Sequence, residues 1–473
     1  MENLKQAVNP YLPSWEYVPD GEPYVFGDRV YVYGSHDQFR GDVYCMLDYV
    51  CWSAPVTDLG DWRYEGVIFR KDQDPRNTDM QGNLYAPDVV IGPDGRYYLY
   101  YVISSDKVVS VAVCDEPAGK YEFYGHVHYA DGTLLGEKEG DEPQFDPGVL
   151  REGEKTYLYT GFCGIGDTSR HGAMCTTLGP DMLTIIEEPV FVAPGFCYSK
   201  GTEFEGHAFF EAPSMRKKDG KYWFIYSSEL SHELCYAISD DPRGGFHYAG
   251  CLISAGDLGI DSYKPADQCM FYTANNHGSM VEIGDDWYIF YHRHTNGTNF
   301  SRQGCLEKLS FREDGIAIQA EITSCCSIRP LKGEGEYPTY IACHLFTEVP
   351  MTYVPWSGWM DDRFPKVTQD GRDGDEELGY IANMRNTATA GYKYFDCQGI
   401  RAVTIRTKGY ANGVMEIRTA WNGEVLGTIP IGYANVWKDT TAEIAIPDGV
   451  QPLYFTFNGN GYLQFAAFTL HTK

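Results

Sequence analysis

The chain alternates short apolar and aromatic runs with turns rich in glycine and aspartate, and helical periodicity is nearly absent. Five segments share one pattern, in which such a turn precedes a tyrosine-rich strand. They are GDRVYVYGSHD (27–37), DGRYYLYYVIS (94–104), EGEKTYLYTGF (152–162), DGKYWFIYSSE (219–229) and GDDWYIFYHRH (284–294). The marker aromatics Tyr31, Tyr98, Tyr157, Trp223 and Tyr288 are spaced by 67, 59, 66 and 65 residues.

This repeat predicts a five-bladed β-propeller over residues 1–325. Each unit is long enough for a four-stranded sheet with its loops, and such sheets recurring at a regular interval are typical of blades around an axial channel. The alternative is one large sandwich that reuses similar hairpins.

A second β region follows, at 335–473. Its strands are short and alternating, and turn signals recur about every 8–12 residues between 391 and 471. This spacing predicts a β-sandwich of the jelly-roll type. The fold class expected for the whole chain is therefore all-β.

Composition and charge narrow the possible partners. The formal net charge is −28, which argues against nucleic acid and anionic membranes and is compatible with neutral sugars. The 14 cysteines contain no CxxC pair, and neither an apolar leader nor a run of 18 apolar residues is present. These features predict a reduced, cytoplasmic protein with buried thiols.

Four carboxylates occur at a similar phase of the repeat. Asp20, Asp88, Asp146 and Glu211 lie 11, 10, 11 and 12 residues before the marker aromatics of their blades. Inverting glycosidases need a carboxylic acid and a carboxylate base on opposite faces of the sugar, and propeller strands can deliver such groups to the axis. A lone acid beside proline is usually a turn former, but four at matching positions indicate a site.

Residues 9–325 resemble glycoside hydrolase family 43. The segments that carry the resemblance are NPYLP (9–13), the Asp20 segment through GSHD (34–37), YAPDVV (85–90), FDPGVL (145–150), FEAPSM (210–215), NNHGSM (275–280) and the segment around Arg302. The resemblance implies a five-bladed propeller and single-displacement, inverting hydrolysis. It implies Asp20 as general base and Glu211 as general acid. Asp88 would raise the pKa of the acid, since a like charge nearby favours the protonated form.

The sequence departs from the family pattern at the base, where the family usually has Asp-Pro. Here Asp20-Gly21 is followed by Glu22-Pro23. Asp20 keeps the spacing to the first tyrosine-rich strand, whereas Glu22 alone adjoins proline. Asp20 is the preferred base, and Glu22 is the alternative.

The resemblance also implies supporting residues. His277 matches a family histidine that holds a hydrated calcium or an ordered water at the propeller centre, although it could equally be a core histidine. No cofactor is expected for the chemistry itself. Arg302 is expected to reach the substrate pocket, with a surface salt bridge as the alternative. His36, Asp37 and Asp146 complete the expected substrate-binding set. The alternative for His36 and Asp37, which end the first tyrosine-rich strand, is that only one of the two lines the pocket.

The C-terminal region resembles the carbohydrate-binding sandwiches of family 6, through GYKYFDCQG (391–399), VMEIRTAWNGEVLGTIPI (414–431) and PLYFTFNGNGYLQFAAFTLH (452–471). Trp421, Trp437 and Tyr392 are the candidate sugar platforms. The alternative, which we favour, is a structural domain packed on the propeller.

Together these features predict an inverting exo-glycosidase acting on pentose oligosaccharides, as a β-xylosidase or an α-L-arabinofuranosidase. The alternatives are an endo-arabinanase and a lectin-like propeller that binds sugar without cleaving it. A lectin would not need both Asp20 and Glu211.

Overall fold

The protein is almost entirely β-structure. The computed structural model describes residues 4–104, 106–261, 264–349, 360–361 and 363–472. Helical turns in this part of the chain are confined to short 3-10 segments at Lys71–Gln73, Phe196–Tyr198 and Thr339–Ile341. Among the described residues, no helix is long and apolar enough to cross a membrane.

Five small sheets form the predicted propeller, and the first four have four antiparallel strands each, in sequential order. Blade 1 contains β1 (Glu22–Phe26), β2 (Arg29–Tyr33), β3 (Tyr49–Pro55) and β4 (Arg63–Phe69). Blade 2 contains β5 (Leu84–Ile91), β6 (Tyr97–Ile103), β7 (Ser110–Cys114) and β8 (Glu122–His126). Blade 3 contains β9 (Gly148–Glu152), β10 (Lys155–Thr160), β11 (Gly172–Leu178) and β12 (Ile185–Pro194). Blade 4 contains β13 (Phe209–Lys218), β14 (Lys221–Ser228), β15 (Glu233–Ser239) and β16 (His247–Ser254).

Blade 5 differs from the predicted four strands. Within the described residues it has three, β17 (Met280–Ile283), β18 (Asp286–His294) and β19 (Arg302–Lys308). The chain then leaves the blade through the small pair β20 (Ser310–Phe311) and β21 (Ala317–Ile318) and bridges to blade 4 between Ile253 and Ala320.

The N-terminal segment takes the place of a fourth strand and closes the ring. The backbone N–H of Tyr11 donates to the carbonyl of Gly304 on β19, and the side chain of Asn9 bonds to the backbone of Leu306. Blades 1 and 5 also meet at the axis through a parallel bridge between Gly21 and Gly278. The two ends of the propeller are thus joined without a covalent link.

Register fixes which residues face the channel. Each marker aromatic lies on the second strand of its blade, and its partner lies on the innermost strand. Because side chains alternate along a strand, positions two and four residues before that partner share one face. The inner strands therefore present two levels of side chains. The lower level contains Glu22, Asp88, Gly148, Ser214 and Ser279, and the upper level contains Asp20, Ala86, Asp146, Ala212 and His277.

The second region forms one continuous ten-stranded sheet rather than two separate ones. Its longest strands, β28 and β31, bend past bulges and glycines, so that the sheet curls around a single core. The strands are β22 (Leu331–Lys332), β23 (Gly335–Pro338), β24 (His344–Phe346), β25 (Lys366–Thr368), β26 (Tyr380–Met384), β27 (Thr389–Cys397), β28 (Ala402–Arg418), β29 (Gly427–Ile431), β30 (Ala434–Glu443) and β31 (Gly449–His471).

The two regions share a hydrophobic core and a buried ion cluster. Phe271, Tyr272 and Ala274 of the propeller pack among the apolar residues of the second sheet. Next to them, Lys393 lies 2.9 Å from Asp257 and 2.8 Å from Glu321, and all of these charges are withdrawn from most solvent. Breaking a buried pair leaves an uncompensated charge, so this cluster favours one relative position of the regions.

Candidate active site

A cavity of about 360 Å³ opens at the upper level of the channel. Carboxylates from three blades converge on it, together with an arginine, a histidine and a wall of aromatic rings. Its lining includes Asp20, Asp146, Glu211, Asn275, His277, Arg302, Tyr44, Tyr85, Phe145 and Phe162. A concave site with an aromatic wall and a few converging polar groups suits a small sugar.

The upper level shares an uncommon backbone conformation in three blades. Asp20, Asp146 and Ala212 have φ values of 58°, 44° and 63°, in the left-handed region that non-glycine residues rarely occupy. At Ala212 the strand also carries a register shift, and this turns the preceding residue, Glu211, into the cavity. Such strain persists only where the surrounding structure holds it, and it is frequent at functional sites.

Asp20 is held as a carboxylate. Its Oδ1 lies 2.9 Å from Nη1 of Arg302 and 3.2 Å from Nδ1 of His292. Burial alone would raise the pKa of Asp20, but the positive charge of Arg302 and the contact with His292 outweigh it and hold the pKa well below its usual range. Asp20 is therefore ionised at neutral pH.

Asp37 positions Arg302 from behind and does not line the cavity. Its Oδ2 accepts from Nε of Arg302 at 2.8 Å, its Oδ1 accepts from Nη2 at 3.0 Å, and the side chain is fully buried. This forked pairing fixes the plane of the guanidinium and leaves Nη1 for Asp20. Arg302 thus lines the pocket as predicted, and the surface-salt-bridge alternative is wrong because the residue is buried.

The pKa of Glu211 is shifted in the opposite direction to that of Asp20. Burial and then the negative charge of Asp20 raise the pKa of Glu211 to about 8. The pKa of Asp146, which lies just before the inner strand of blade 3, is also raised, by burial and by the charges of Glu211 and Asp20. The two carboxyls titrate as a coupled pair, and the shared repulsion keeps a proton on the pair at neutral pH.

Asp88 does not lie where its predicted role requires. It belongs to the lower level, where Tyr24 Oη donates to its Oδ1 at 2.6 Å and Val149 N donates to its Oδ2 at 2.7 Å. These bonds join blades 1, 2 and 3, so Asp88 acts as a structural link. Asp146, which was expected only to bind substrate, is the carboxylate beside Glu211.

Glu22 also lies at the lower level. Its Oε2 accepts from Ser214 Oγ at 3.0 Å and forms an ion pair with Arg216. Burial and the neighbouring charge of Asp88 raise the pKa of Glu22 to about 8. Since Glu22 is absent from the cavity lining, the geometry favours Asp20 over Glu22 as the base.

His36 points away from the cavity, contrary to the prediction. Its Nε2 lies 2.9 Å from Glu16 Oε1, and its Nδ1 lies 2.9 Å from the carbonyl of Asp48. It lines a different surface hollow, beside Trp15 and Trp52. His36 and Asp37 are consecutive residues with different surroundings, and neither contacts the cavity.

His277 lies between the two levels of carboxylates. Its Nδ1 is 3.6 Å from Asp146 Oδ2 and 4.0 Å from Asp20 Oδ1, and its Nε2 is 3.9 Å from Glu22 Oε1. Burial lowers the pKa of His277 to about 4, so the imidazole is neutral at neutral pH. A neutral ring here separates the carboxylates and can share a water or a hydrated ion with them.

Two residues of the site were missed by the sequence reasoning. Asn275 lines the cavity beside Glu211 and lowers the pKa of that carboxyl, and its Oδ1 lies 3.1 Å from Nε2 of His294. His292 contacts Asp20 and donates from Nε2 to the carbonyl of Asn275 at 2.8 Å. Asn275 lies in the NNHGSM segment and His292 in the fifth tyrosine-rich strand, so both belong to motifs that the sequence displays.

The chain matches the model of a known protein family. The model of the family "Glycosyl hydrolases family 43" matches residues 17–317, which is well over half of the chain. The chain belongs to glycosyl hydrolase family 43. The matched range covers all five blades and every residue that lines the cavity.

Relatives and solved structures agree with the fold. The family 43 chain is 64% identical over 470 residues to a protein named xylosidase/arabinosidase from Thermoclostridium stercorarium, covering 99% of each. It is similar over 99% of both chains to the structure of an arabinoxylan arabinofuranohydrolase from Bacillus subtilis, with 18% identity and a TM-score of 0.53. A β-xylosidase/α-arabinofuranosidase from a compost metagenome, in a calcium-free form, matches 67% of this chain and 98% of its own, with 24% identity and a TM-score of 0.51.

The three predicted sugar platforms of the second region differ in how far they are exposed to solvent. Tyr392 is fully buried in the shared core, so it is not a platform and that prediction is wrong. Trp421 packs against Phe346 with ring centroids 6.2 Å apart. Trp437 keeps about a third of its surface exposed, beside Tyr380 and Lys408. Sugar binding by this region stays a prediction.

The coupled pair predicts the pH dependence of activity. A general acid must be protonated, so kcat/KM should fall as pH rises through the pKa of Glu211, near 8. Asp146→Asn removes a like charge, which lowers the cost of ionising Glu211 and should move this alkaline limb to lower pH. The measurement is the pH profile of kcat/KM on an aryl glycoside. A limb that stays in place or moves upward would contradict the assignment of Asp146.

Proposed function

We propose that this family 43 protein is an inverting exo-glycosidase that releases xylose or arabinofuranose from hemicellulose-derived oligosaccharides. The observation that carries the proposal is the contrast between two buried carboxyls in one cavity. Asp20 is held ionised by Arg302, and Glu211 is held protonated by burial and by its neighbours. Groups whose surroundings push their pKa values apart are the usual acid and base assignments.

Each group then has a role in a single displacement. Glu211 protonates the glycosidic oxygen as the bond to the anomeric carbon breaks. Asp20 takes a proton from a water molecule, whose oxygen attacks the same carbon from the other face of the ring. Asp146 and Glu211 repel each other when both are ionised, so Asp146 makes loss of the proton from Glu211 more costly. Arg302, fixed by Asp37, orients Asp20 and presents donors to sugar hydroxyls.

The choice of pentosides is supported by the relative from Thermoclostridium stercorarium, whose name is xylosidase/arabinosidase. The aromatic wall of Tyr85, Phe145 and Phe162 suits the apolar face of a sugar ring. A lectin-like propeller would have no need for an ionised and a protonated carboxyl in one cavity. Release of nitrophenol from aryl β-xyloside and aryl α-L-arabinofuranoside tests the activity, and turnover of neither substrate would contradict it.

Substitution of the two candidate bases tests the mechanism. Asp20→Ala should lower kcat by roughly 10²–10⁴, the usual contribution of general acid–base catalysis. Glu22→Gln, the matched control, keeps the shape of a residue that lies outside the cavity and should retain most of the activity. The readout is kcat on the aryl glycoside, with and without azide, which replaces the activated water in Asp20→Ala. If instead Glu22→Gln alone were folded, inactive and rescued by azide, Glu22 would be the base.

We also propose that the channel holds a hydrated calcium ion beside His277. Arg216 and Arg302 face a larger set of carboxylates there, namely Asp20, Glu22, Asp37, Asp88, Asp146 and Glu211. This excess of negative charge fits a divalent cation, which prefers oxygen donors. His277 and Asp146 would hold the ion through water, and its charge would ease the repulsion between the carboxylates.

Calcium binding of this kind should stabilise the folded protein by mass action. The melting temperature of the wild type should therefore rise when calcium is added after treatment with a chelator. His277→Ala should abolish the rise, whereas His247→Ala, an exposed histidine on blade 4, should keep it. Equal melting temperatures of the wild type with calcium and with chelator would contradict the proposal.

The compartment is a further part of the proposal. The fourteen cysteines are all free thiols, most of them buried, which is typical of proteins in a reducing environment. We therefore propose a cytoplasmic enzyme that acts on soluble oligosaccharides.

A further inference from the structure

A second cavity adjoins the catalytic pocket on the outer side of blade 3. Its volume is about 740 Å³, and it shares Pro143, Gln144 and Arg170 with the pocket. We call it the blade-3 cleft, lined by those three residues together with Tyr129, Glu142, His171 and Phe191. Because the same three residues border both cavities, a chain that leaves the pocket over Arg170 enters the cleft.

An exposed aromatic strip begins in the lining of the cleft, at Phe191 and His171, and continues onto Tyr198. The ring of His171 stacks on Tyr198, with centroids 4.7 Å apart, and lies 5.1 Å from the ring of Phe191. Phe191 is 52% exposed and Tyr198 is 41% exposed. Aromatic faces left open to solvent beside a sugar-cleaving pocket offer the surface on which pyranose and furanose rings stack.

Glu142 supports the strip and supplies an acceptor. Its Oε1 lies 2.6 Å from Nδ1 of His171, which fixes the orientation of the imidazole. The side chain is only 10% exposed, and within the described chain its Oε2 has no hydrogen-bond partner although that atom is buried. A buried carboxylate oxygen without a donor is costly, and a hydroxyl group of a ligand would satisfy it after a small rotation of the side chain.

The charge around the cleft selects among sugars. Glu139, Asp141, Glu142, Asp167 and Glu188 line it, against Lys138 and Arg170. Carboxylates accept hydrogen bonds from neutral hydroxyls and repel anions. The cleft therefore fits neutral sugar units and disfavours uronic acid substituents.

We propose that the blade-3 cleft binds the leaving-group part of the substrate, that is, the neutral sugar units of an oligosaccharide beyond the bond that Glu211 and Asp20 cleave. This inference rests on the proposed function, and it deepens it by making the enzyme selective for chain length. The other occupant of an exposed aromatic strip on an edge strand is a second copy of the chain, and the test below distinguishes the two.

The test compares short and long substrates in matched variants. Phe191→Ala removes an exposed ring from the cleft, Phe191→Tyr keeps the ring, and Tyr433→Ala removes an exposed ring from the second region as a control. For each protein, kcat/KM is measured on the aryl glycoside and on the disaccharide and the tetrasaccharide of xylose and of arabinose. The oligomeric state is measured by size-exclusion chromatography with light scattering.

In the wild type, kcat/KM should be higher for the tetrasaccharide than for the corresponding disaccharide. Phe191→Ala should lose about tenfold on the tetrasaccharide, the size of one aromatic stacking contact, and less than twofold on the aryl glycoside. Phe191→Tyr and Tyr433→Ala should behave as the wild type.

Equal losses on both substrates, or none on the tetrasaccharide, would overturn the proposal. So would a wild-type dimer that Phe191→Ala converts to a monomer with unchanged kcat/KM. Turnover of the aryl glycoside by the wild type tests the proposed function by itself. If that turnover were absent, the function would be wrong, and the cleft would be tested by titrating xylotetraose against the wild type and Phe191→Ala, where equal affinities would overturn it.

Discussion

The site depends on one electrostatic constraint, the crowding of buried carboxylates around the propeller axis. Six of them, Asp20, Glu22, Asp37, Asp88, Asp146 and Glu211, are balanced in the described part of the chain by two arginines, Arg216 and Arg302. Charges in a buried site repel strongly, so not all of these groups ionise together. The arginines decide the outcome, because Arg302 keeps Asp20 ionised while Asp146 and Glu211 remain a coupled pair with raised pKa values.

The propeller stabilises these crowded carboxylates by giving them hydrogen-bond donors. Each inner strand brings one or two polar residues to the axis, and the neighbouring strand supplies backbone donors, as Val149 does for Asp88 and Ala212 does for Asp146. Left-handed backbone at Asp20, Asp146 and Ala212 then directs the upper level into the cavity. The N-terminal segment closes the ring, so the position of Arg302 on β19 is fixed relative to Asp20 just before β1.

The sequence predicted much of the fold and part of the site. The tyrosine-rich repeat predicted the number of blades, and the phase of the acids predicted that Asp20, Asp146 and Glu211 would reach the axis. The sequence did not show whether each acid would lie at the upper or the lower level of the channel. Asp88 lies 10 residues before its marker aromatic and Asp146 lies 11, but the hairpin of blade 2 is one residue longer, with Tyr98 paired to Val90 where Tyr157 pairs with Leu150. Asp88 is therefore two positions before the partner of its marker, at the lower level beside Glu22, and Asp146 is four positions before its own. The length of a hairpin is set by the hydrogen-bonded pairing of its two strands, which a one-dimensional spacing does not record.

The predictions for His36, Asp37 and Tyr392 were wrong for a similar reason, because the sequence does not show which way a side chain faces. His36 and Asp37 are adjacent, and only the folded loop shows that one faces Glu16 and the other Arg302. Tyr392 looked like a platform because aromatic residues serve both surfaces and cores, and here the shared core of the two regions buries it.

The central claim is that Asp20 activates a water molecule that attacks opposite to Glu211. The most direct measurement is proton NMR of the first sugar released from an aryl glycoside, recorded before mutarotation. The account predicts that the free sugar appears first with the anomeric configuration opposite to that of the substrate. Retention of the substrate configuration in the earliest spectra would show that a carboxylate attacks the sugar directly, and would contradict the account.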